Sequence, residues 1–177
     1  MPKVIQISGK KRHGKDTIAS ILMDKFPDAI LLSFAEPMKQ IIATTLGITL
    51  TELDELKNTD HKVRGILQRF GSEAMKAVFG EDVWAELLKR KLLKMPDNAL
   101  VIITDWRFNC EVIEGSLKLR VNRPTLSIDT DAHRSELELD DYKYFDYILE
   151  NVAGINELEQ LVYHLIPSIK TFINNKE

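Results

Sequence analysis

The chain has 177 residues, 44% hydrophobic and 29% charged, with 24 Lys+Arg against 27 Asp+Glu and a single cysteine. This composition supplies a core without staples and excludes disordered and disulfide-rich classes. A net charge of -3 argues against a general binder of nucleic-acid polymers. No apolar run nears the ~18 residues of a membrane span, so a cytoplasmic protein is expected.

Short runs rich in Val, Ile and Leu predict strands at Val4 to Ser8, Ala29 to Phe34, Leu100 to Thr104, Leu117 to Val121 and Phe145 to Leu149. Helical periods lie between them. Ile18, Ile21, Leu22 and Phe26 form the first, and Val63, Ile66, Leu67, Phe70, Ala74, Ala77 and Val78 a later one. Val83, Trp84, Leu87, Leu88 and Leu92 extend the pattern, and Ile155 to Ile169 closes it, with a kink expected at Pro167. Alternating strands and helices predict an α/β parallel sheet. Glu36 to Met95 holds no strand candidate and reads as a helical insert between strands two and three. The chain reads as one domain, with a core at 1–35 and 97–177, an insert at about 36–96 and a lid at about 122–138.

Charge is unevenly distributed. Five basic residues against Asp16 occupy Met1 to Thr17, while Ser135 to Glu150 carries six acids against Lys143. The basic end is where an anion belongs. It contains Gly9-Lys10-Lys11-Arg12-His13-Gly14-Lys15-Asp16-Thr17 between the first strand and the first helix, the context a phosphate-binding loop needs. Its glycines permit a tight turn with inward N–H groups, the helix N-terminus adds positive partial charge, and Lys15 is placed to reach β and γ phosphates. A nucleoside triphosphate is the natural ligand. Asp16 stands where such loops usually carry the Ser or Thr that binds magnesium, with Thr17 next. Either supplies the hard oxygen the ion prefers, although Asp16 is also an ordinary first-turn acid.

The third strand ends in Asp105, at the sheet edge where ligands of parallel α/β folds bind, and this reads as a second metal position or as a helix N-cap. Arg107, at the same edge, suits a phosphate, or an ion pair with Glu111. In the insert, Arg69, Ser72, Glu73 and Lys76 share the helix face opposite the apolar stripe, as acceptor contacts or as a solvated face. Arg120, Arg123 and Arg134 flank the lid, where arginines would neutralise a transferring phosphoryl group. His133 is a ligand or a loop hydrogen-bonder. Phe34 and Trp84 would stack on a base if they line the acceptor cleft, or else pack in the core.

GKKRHGKDT, SFAEPMK (Ser33 to Lys39), LQRFGSE with GEDVW (Leu67 to Trp84), IITDWRF with Asn109 and Glu111, DAHRSE (Asp131 to Glu136) and YILEN (Tyr147 to Asn151) together resemble the deoxynucleoside monophosphate kinases of tailed phages and their relatives. The resemblance runs over nearly the whole chain, and the GKDT form of the loop is typical of that family. It implies a P-loop, adenylate-kinase-like α/β/α sandwich with a five-stranded parallel sheet of order 2-3-1-4-5. It also implies transfer of the ATP γ-phosphoryl group to a deoxynucleoside monophosphate by a monomer or homodimer. On the matching positions it implies acceptor contacts at Lys39, Gln68, Arg69, Glu73, Lys76, Arg107 and Glu111, and a donor-side role for Asn151. Where the family commonly shows GTE followed by Arg, this chain has Gly71-Ser72-Glu73 with Lys76. Animal-type phosphomevalonate kinases share a similar GKD loop, which leaves a small-molecule phosphate kinase as the alternative. A nucleotide-hydrolysing switch is a further alternative, disfavoured by Asp16 and by the lack of an Asn-Lys-x-Asp segment.

Overall fold

The fold is described from a computed structural model, for residues 1–126 and 134–175. Five strands, β1 (Lys3–Ser8), β2 (Ile30–Leu32), β3 (Leu100–Trp106), β4 (Leu117–Asn122) and β5 (Tyr147–Glu150), form one sheet of order β2-β3-β1-β4-β5. Every pairing is parallel. All five expected strands are present, and β1 sits in the centre, its Ile5 in register with Ile102 of β3 and Leu117 of β4.

The near-continuous apolar strands serve two faces. Ile5, Ile7, Ile102, Leu119 and Val121 pack on one side against α1 (Lys15–Lys25) and α8 (Ile155–Asn174), through Ile18, Leu22, Leu158 and Val162. Val4, Val101, Ile103 and Leu32 face the other side and meet Trp84, Leu88 and Leu92 of α6 (Val83–Leu92). The alternation is the period-two geometry of a strand with both faces covered. Helix α8 continues through Pro167 to Asn174 as a single element.

Between β2 and β3 the chain is helical, as expected: α2 (Glu36–Leu46), α3 (Leu50–Thr59), α4 (His61–Gln68), a π-helical segment (Arg69–Met75), α5 (Lys76–Phe79) and α6. Local chemistry sets these boundaries. Thr49 and Glu52 form a reciprocal capping box at the start of α3, and the Asp60 carboxylate accepts from Lys62 N at 2.7 Å to begin α4. The insert has its own small core of Ile42, Ala43, Leu53 and Leu67. Beyond β4 come the short α7 (Arg134–Leu137) and β5. Among the described residues, no helix is long and apolar enough to cross a membrane.

At the carboxyl end of β1 the chain turns sharply under β4. Gly9 has φ 150°, and a Cβ placed on it would lie 2.5 Å from the Val121 carbonyl oxygen and 2.9 Å from Val121 Cγ1. The first of these is backbone within the sheet and cannot swing aside. Gly9→Ala is therefore expected to lose about 3 kcal/mol of stability in urea unfolding. A loss below ~0.5 kcal/mol would show that the turn is not held against β4 as described.

Candidate active site

The segment joining β1 to α1 is built from unusual backbone. Gly9, Arg12 and Gly14 all have positive φ, and Arg12, at 66°, is the one non-glycine residue with positive φ among the described residues. His13 N donates to Lys10 O at 3.2 Å, and Ile18 N to Gly14 O at 3.0 Å, where α1 takes over. A Cβ on Gly14 would sit 2.7 Å from Leu158 Cδ2, a side-chain end that could shift, so it is chiefly the φ of 117° that calls for glycine here. Asn151, at the end of β5, donates from Nδ2 to His13 O at 3.0 Å, and Arg123 N donates to His13 Nδ1 at 3.1 Å. Asn151 and Arg123 thus hold the turn from both sides at His13. Burial, aided by Lys15, Lys10 and Arg120, holds the His13 pKa below its ordinary value, against an opposing backbone contact with Val121.

Lys15 lies beneath this turn, 8% exposed, with Nζ donating to Gly9 O at 2.7 Å and Lys10 O at 2.9 Å. Burial first, and then the neighbouring Arg107 guanidinium, lower its pKa from 10.5 to about 8. A buried ammonium satisfied only by carbonyls has an unmet demand for negative charge. Asp16 is exposed and Thr17 half-buried at the head of α1, both offering oxygen. Among the described residues, no three His, Cys, Asp or Glu side chains are grouped as a ready-made metal centre.

Asp105 falls within β3, before its last residue. Its carboxylate accepts from Ser33 Oγ at 2.6 Å, Phe34 N at 3.0 Å and Ala35 N at 3.0 Å. It therefore fastens the turn between β2 and α2 to the centre of the sheet edge. Arg107 does not pair with Glu111, the alternative open in the sequence; its guanidinium pairs with Glu136 of α7. Glu111 is buried, and its Oε2 accepts from Arg107 N at 2.8 Å and Phe108 N at 3.0 Å, closing the short turn after β3.

The lid arginines have separate fates. Arg120 is buried and committed to Asp140 at 2.5 Å and to Leu139 O at 3.2 Å. Arg134 is exposed, paired with Glu138 at 2.6 Å and Glu81 at 3.4 Å. Arg123 is half-buried beside the β1–α1 turn, and its Nε is buried without a hydrogen-bond partner. His133 and Asp131, with the rest of 127–133, lie outside the described residues.

Three readings of the insert change. Phe34 and Trp84 are core residues, 2% and 5% exposed, and Trp84 Nε1 donates to Gly71 O at 3.0 Å. Packed this way, neither offers a ring face to a base. The stripe of Arg69, Glu73 and Lys76 is also broken. The π-helical turn at Arg69–Met75 adds rotation per hydrogen-bonded turn, so Arg69 and Glu73 are exposed while Lys76 points inward. For the same reason Ala74, Ala77 and Val78, expected on the buried stripe, are exposed, and Gly71 is buried in their place. The Lys76 ammonium lies 3.4 Å from the Phe108 ring centroid and 3.6 Å from Glu81, with no hydrogen-bond partner. Gln68 is half-buried, and Lys39 pairs with Asp54 at 2.7 Å. Ile66, Arg69, Phe70, Glu73 and Ala74 line an open hollow of about 510 Å³.

Burial raises the Glu111 pKa from 4.5 to about 8, overriding the two backbone N–H groups that favour its ionised form. Between those values the folded chain keeps a proton that the unfolded chain has released, so stability falls as pH rises through the window and levels off above it. We expect urea unfolding of the native chain to show this slope, up to about 1.4 kcal/mol per pH unit, and Glu111→Gln to lack it. Parallel curves for the two proteins would contradict the assignment.

Two comparisons name a family. Residues 3–66 match the family model of deoxynucleotide monophosphate kinase. A protein of Acanthamoeba polyphaga mimivirus, named as a provisional deoxynucleotide monophosphate kinase, is 29% identical over 178 residues, covering 87% of this chain and 91% of that one. Among solved structures, that of TT1252 from Thermus thermophilus aligns with 95% of this chain and 98% of its own at 17% identity and a TM-score of 0.48. In sequence, then, this chain is similar to the deoxynucleotide monophosphate kinases, through the family model over its first third and the viral relative over most of its length.

Proposed function

We propose that the protein transfers the γ-phosphoryl group of ATP to a deoxynucleoside monophosphate, giving the diphosphate and ADP. The likeness to a kinase family supports phosphoryl transfer as the class of chemistry. The observation that carries the reading is the β1–α1 turn. Its three positive-φ residues wrap a buried ammonium that has only carbonyl partners, with a guanidinium close enough to lower its pKa. Such a concavity is stabilised by an oxyanion, and a polyphosphate supplies several.

In this reading Lys15 and the N–H groups of the turn hold the β and γ phosphates, and Arg107 and Arg123 neutralise charge on the group in flight. Magnesium, held by the oxygens of Asp16 and Thr17 together with the nucleotide, would withdraw charge from the phosphates. Asp105 acts one layer back, fixing the turn at Ser33–Ala35 and lending negative charge near Lys15. The acceptor's second pKa is about 6, so its attacking oxygen is already ionised at neutral pH and no general base is needed. That oxygen forms the new bond to the γ phosphorus as the bond to the bridging oxygen breaks, and ADP leaves with the electron pair.

On the acceptor side, the exposed Arg69 and Glu73 would supply hydrogen-bonding partners to a polar base. The burial of Phe34 and Trp84 works the other way and keeps a non-nucleotide phosphate ester, such as phosphomevalonate, as the second reading. An ADP-release assay with magnesium-ATP and a panel of deoxy- and ribonucleoside monophosphates plus phosphomevalonate decides between them. We expect turnover to require a deoxynucleoside monophosphate and Lys15→Ala to lower it by about 10²–10³-fold without loss of fold. Turnover with phosphomevalonate alone would favour the second reading, and ADP release without any acceptor would favour a hydrolytic switch. A Lys15→Ala protein of near-native rate would overturn the assignment of the turn.

A further inference from the structure

The groups expected to grip phosphate are already in contact with an anion that belongs to the protein. Glu136 Oε2 accepts from Lys11 N, inside the β1–α1 turn, at 2.7 Å, while its Oε1 pairs with the Arg107 guanidinium. One carboxylate thus bridges a loop amide 125 positions away and an arginine 29 positions away. Arg107 Nη1 also donates to Ser135 O at 3.4 Å, so the guanidinium is held by α7 twice over. The negative charge of Glu136 is felt by Lys15 as well, where it opposes the lowering of the ammonium pKa. Its side chain is only 16% exposed. Partial burial favours the neutral acid there, yet Arg107, the Lys11 N–H and Lys15 hold the pKa below the ordinary glutamate value.

A loop amide and a guanidinium converging on the two oxygens of one carboxylate, with the Lys15 ammonium near enough to feel its charge, is a donor set that also suits a bound phosphate. We propose that Glu136 is an internal anion standing in for phosphate in the nucleotide-free protein, and that a triphosphate must displace it from Lys11 and Arg107 to bind. This rests on the reading of the turn as an ATP site and extends it to regulation of that site. Displacement frees Arg107 to meet the transferring phosphoryl group, so the arginine becomes available only when a competing polyanion has taken its partner's place. A ligand with one phosphate gains little over the carboxylate it must evict; one with three gains the whole turn. The contact therefore favours triphosphates over orthophosphate and keeps the basic turn from holding small anions.

The test is calorimetric titration of the full chain with magnesium-ATP and, separately, with inorganic tripolyphosphate. Glu136→Gln keeps an oxygen for Lys11 N–H but removes the charge that pairs with Arg107. Glu136→Asp keeps the charge but is too short to span both partners. Glu138→Gln removes a nearby charge that faces Arg134 and Asn109 N instead of the turn. If the displaced state is populated about a tenth of the time, Glu136→Gln binds both probes about tenfold more tightly, Glu136→Asp binds with intermediate affinity, and Glu138→Gln binds as the native chain does. In the native chain the ¹³C resonance of the Glu136 carboxyl, assigned by its loss in Glu136→Gln, moves when tripolyphosphate is added. Should Glu136→Gln fail to fold, Glu136→Asp and the carboxyl resonance carry the test. Equal or weaker binding by the Glu136 variants, equal tightening by Glu138→Gln, or an unmoved resonance would overturn the proposal while leaving the ATP site in place. If no protein in the set bound either probe, the ATP reading would fall, and this proposal with it.

Discussion

The site depends first on the approach of the Gly9 backbone to the Val121 carbonyl, a backbone contact where no side chain fits. It follows from the position of β1 in the sheet. A central strand must leave the sheet between two neighbours, and here it does so by passing directly beneath the end of β4. From that point the turn meets four further segments: Arg123 after β4, Asn151 after β5, Leu158 of α8 and Glu136 of α7. Each contact is single, and together they fix a segment whose own backbone includes three positive-φ residues. Strain of this kind persists only where the surroundings over-determine it.

A second junction ties the insert to the sheet. The π-helical turn rotates Lys76 off the exposed face and over the Phe108 ring, next to the buried Glu111 that shapes the turn after β3. Trp84 supports the same turn from α6 by donating to the Gly71 carbonyl, a group that a π-helical segment leaves easy to reach. The helices of the insert and the arginine at the strand end are in this way mechanically joined. A shift of the insert would be felt at Phe108, one residue from Arg107.

What could be read from the amino-acid order follows from the range of the interactions. The five strands and the strandless insert were legible because apolar runs and helical periods are local signals, and their ends came within a few residues of the observed ones. The sharp turn between β1 and α1 was legible because two glycines stand between an apolar strand and a helical period, and both take the positive φ that glycine allows. The burial of Lys76 was not legible. A 3.6-residue period assumes an α-helix throughout, and seven π-helical residues re-phase all that follows. Nor could the carboxylate partner of Arg107 be identified, because Glu111 is nearer in sequence while Glu136 is nearer to the guanidinium in space. Phe34 and Trp84 carried the same ambiguity as any aromatic residue, and packing resolved it toward the core.

The uneven charge of the sequence has a structural answer that reaches the site. The basic amino end and the acidic stretch at Ser135 to Glu150 neutralise one another across β4. Lys10 pairs with Asp140 at 2.6 Å, Asp140 also takes Arg120 at 2.5 Å, Lys118 N donates to Asp146 at 2.7 Å, and Glu136 meets Lys11 N at 2.7 Å. Most of these contacts lie away from Lys15 and hold the edge of the sheet together. Glu136 alone among them also pairs with Arg107, whose charge bears on the buried ammonium. An acidic segment that folds onto a basic turn satisfies it in part, and the part left over, the carbonyl-bound Lys15, is where an incoming anion has the most to gain. Charge balance within the chain thus lowers the affinity of the turn for stray anions and leaves one position at which a ligand of higher charge can replace the protein's own carboxylate.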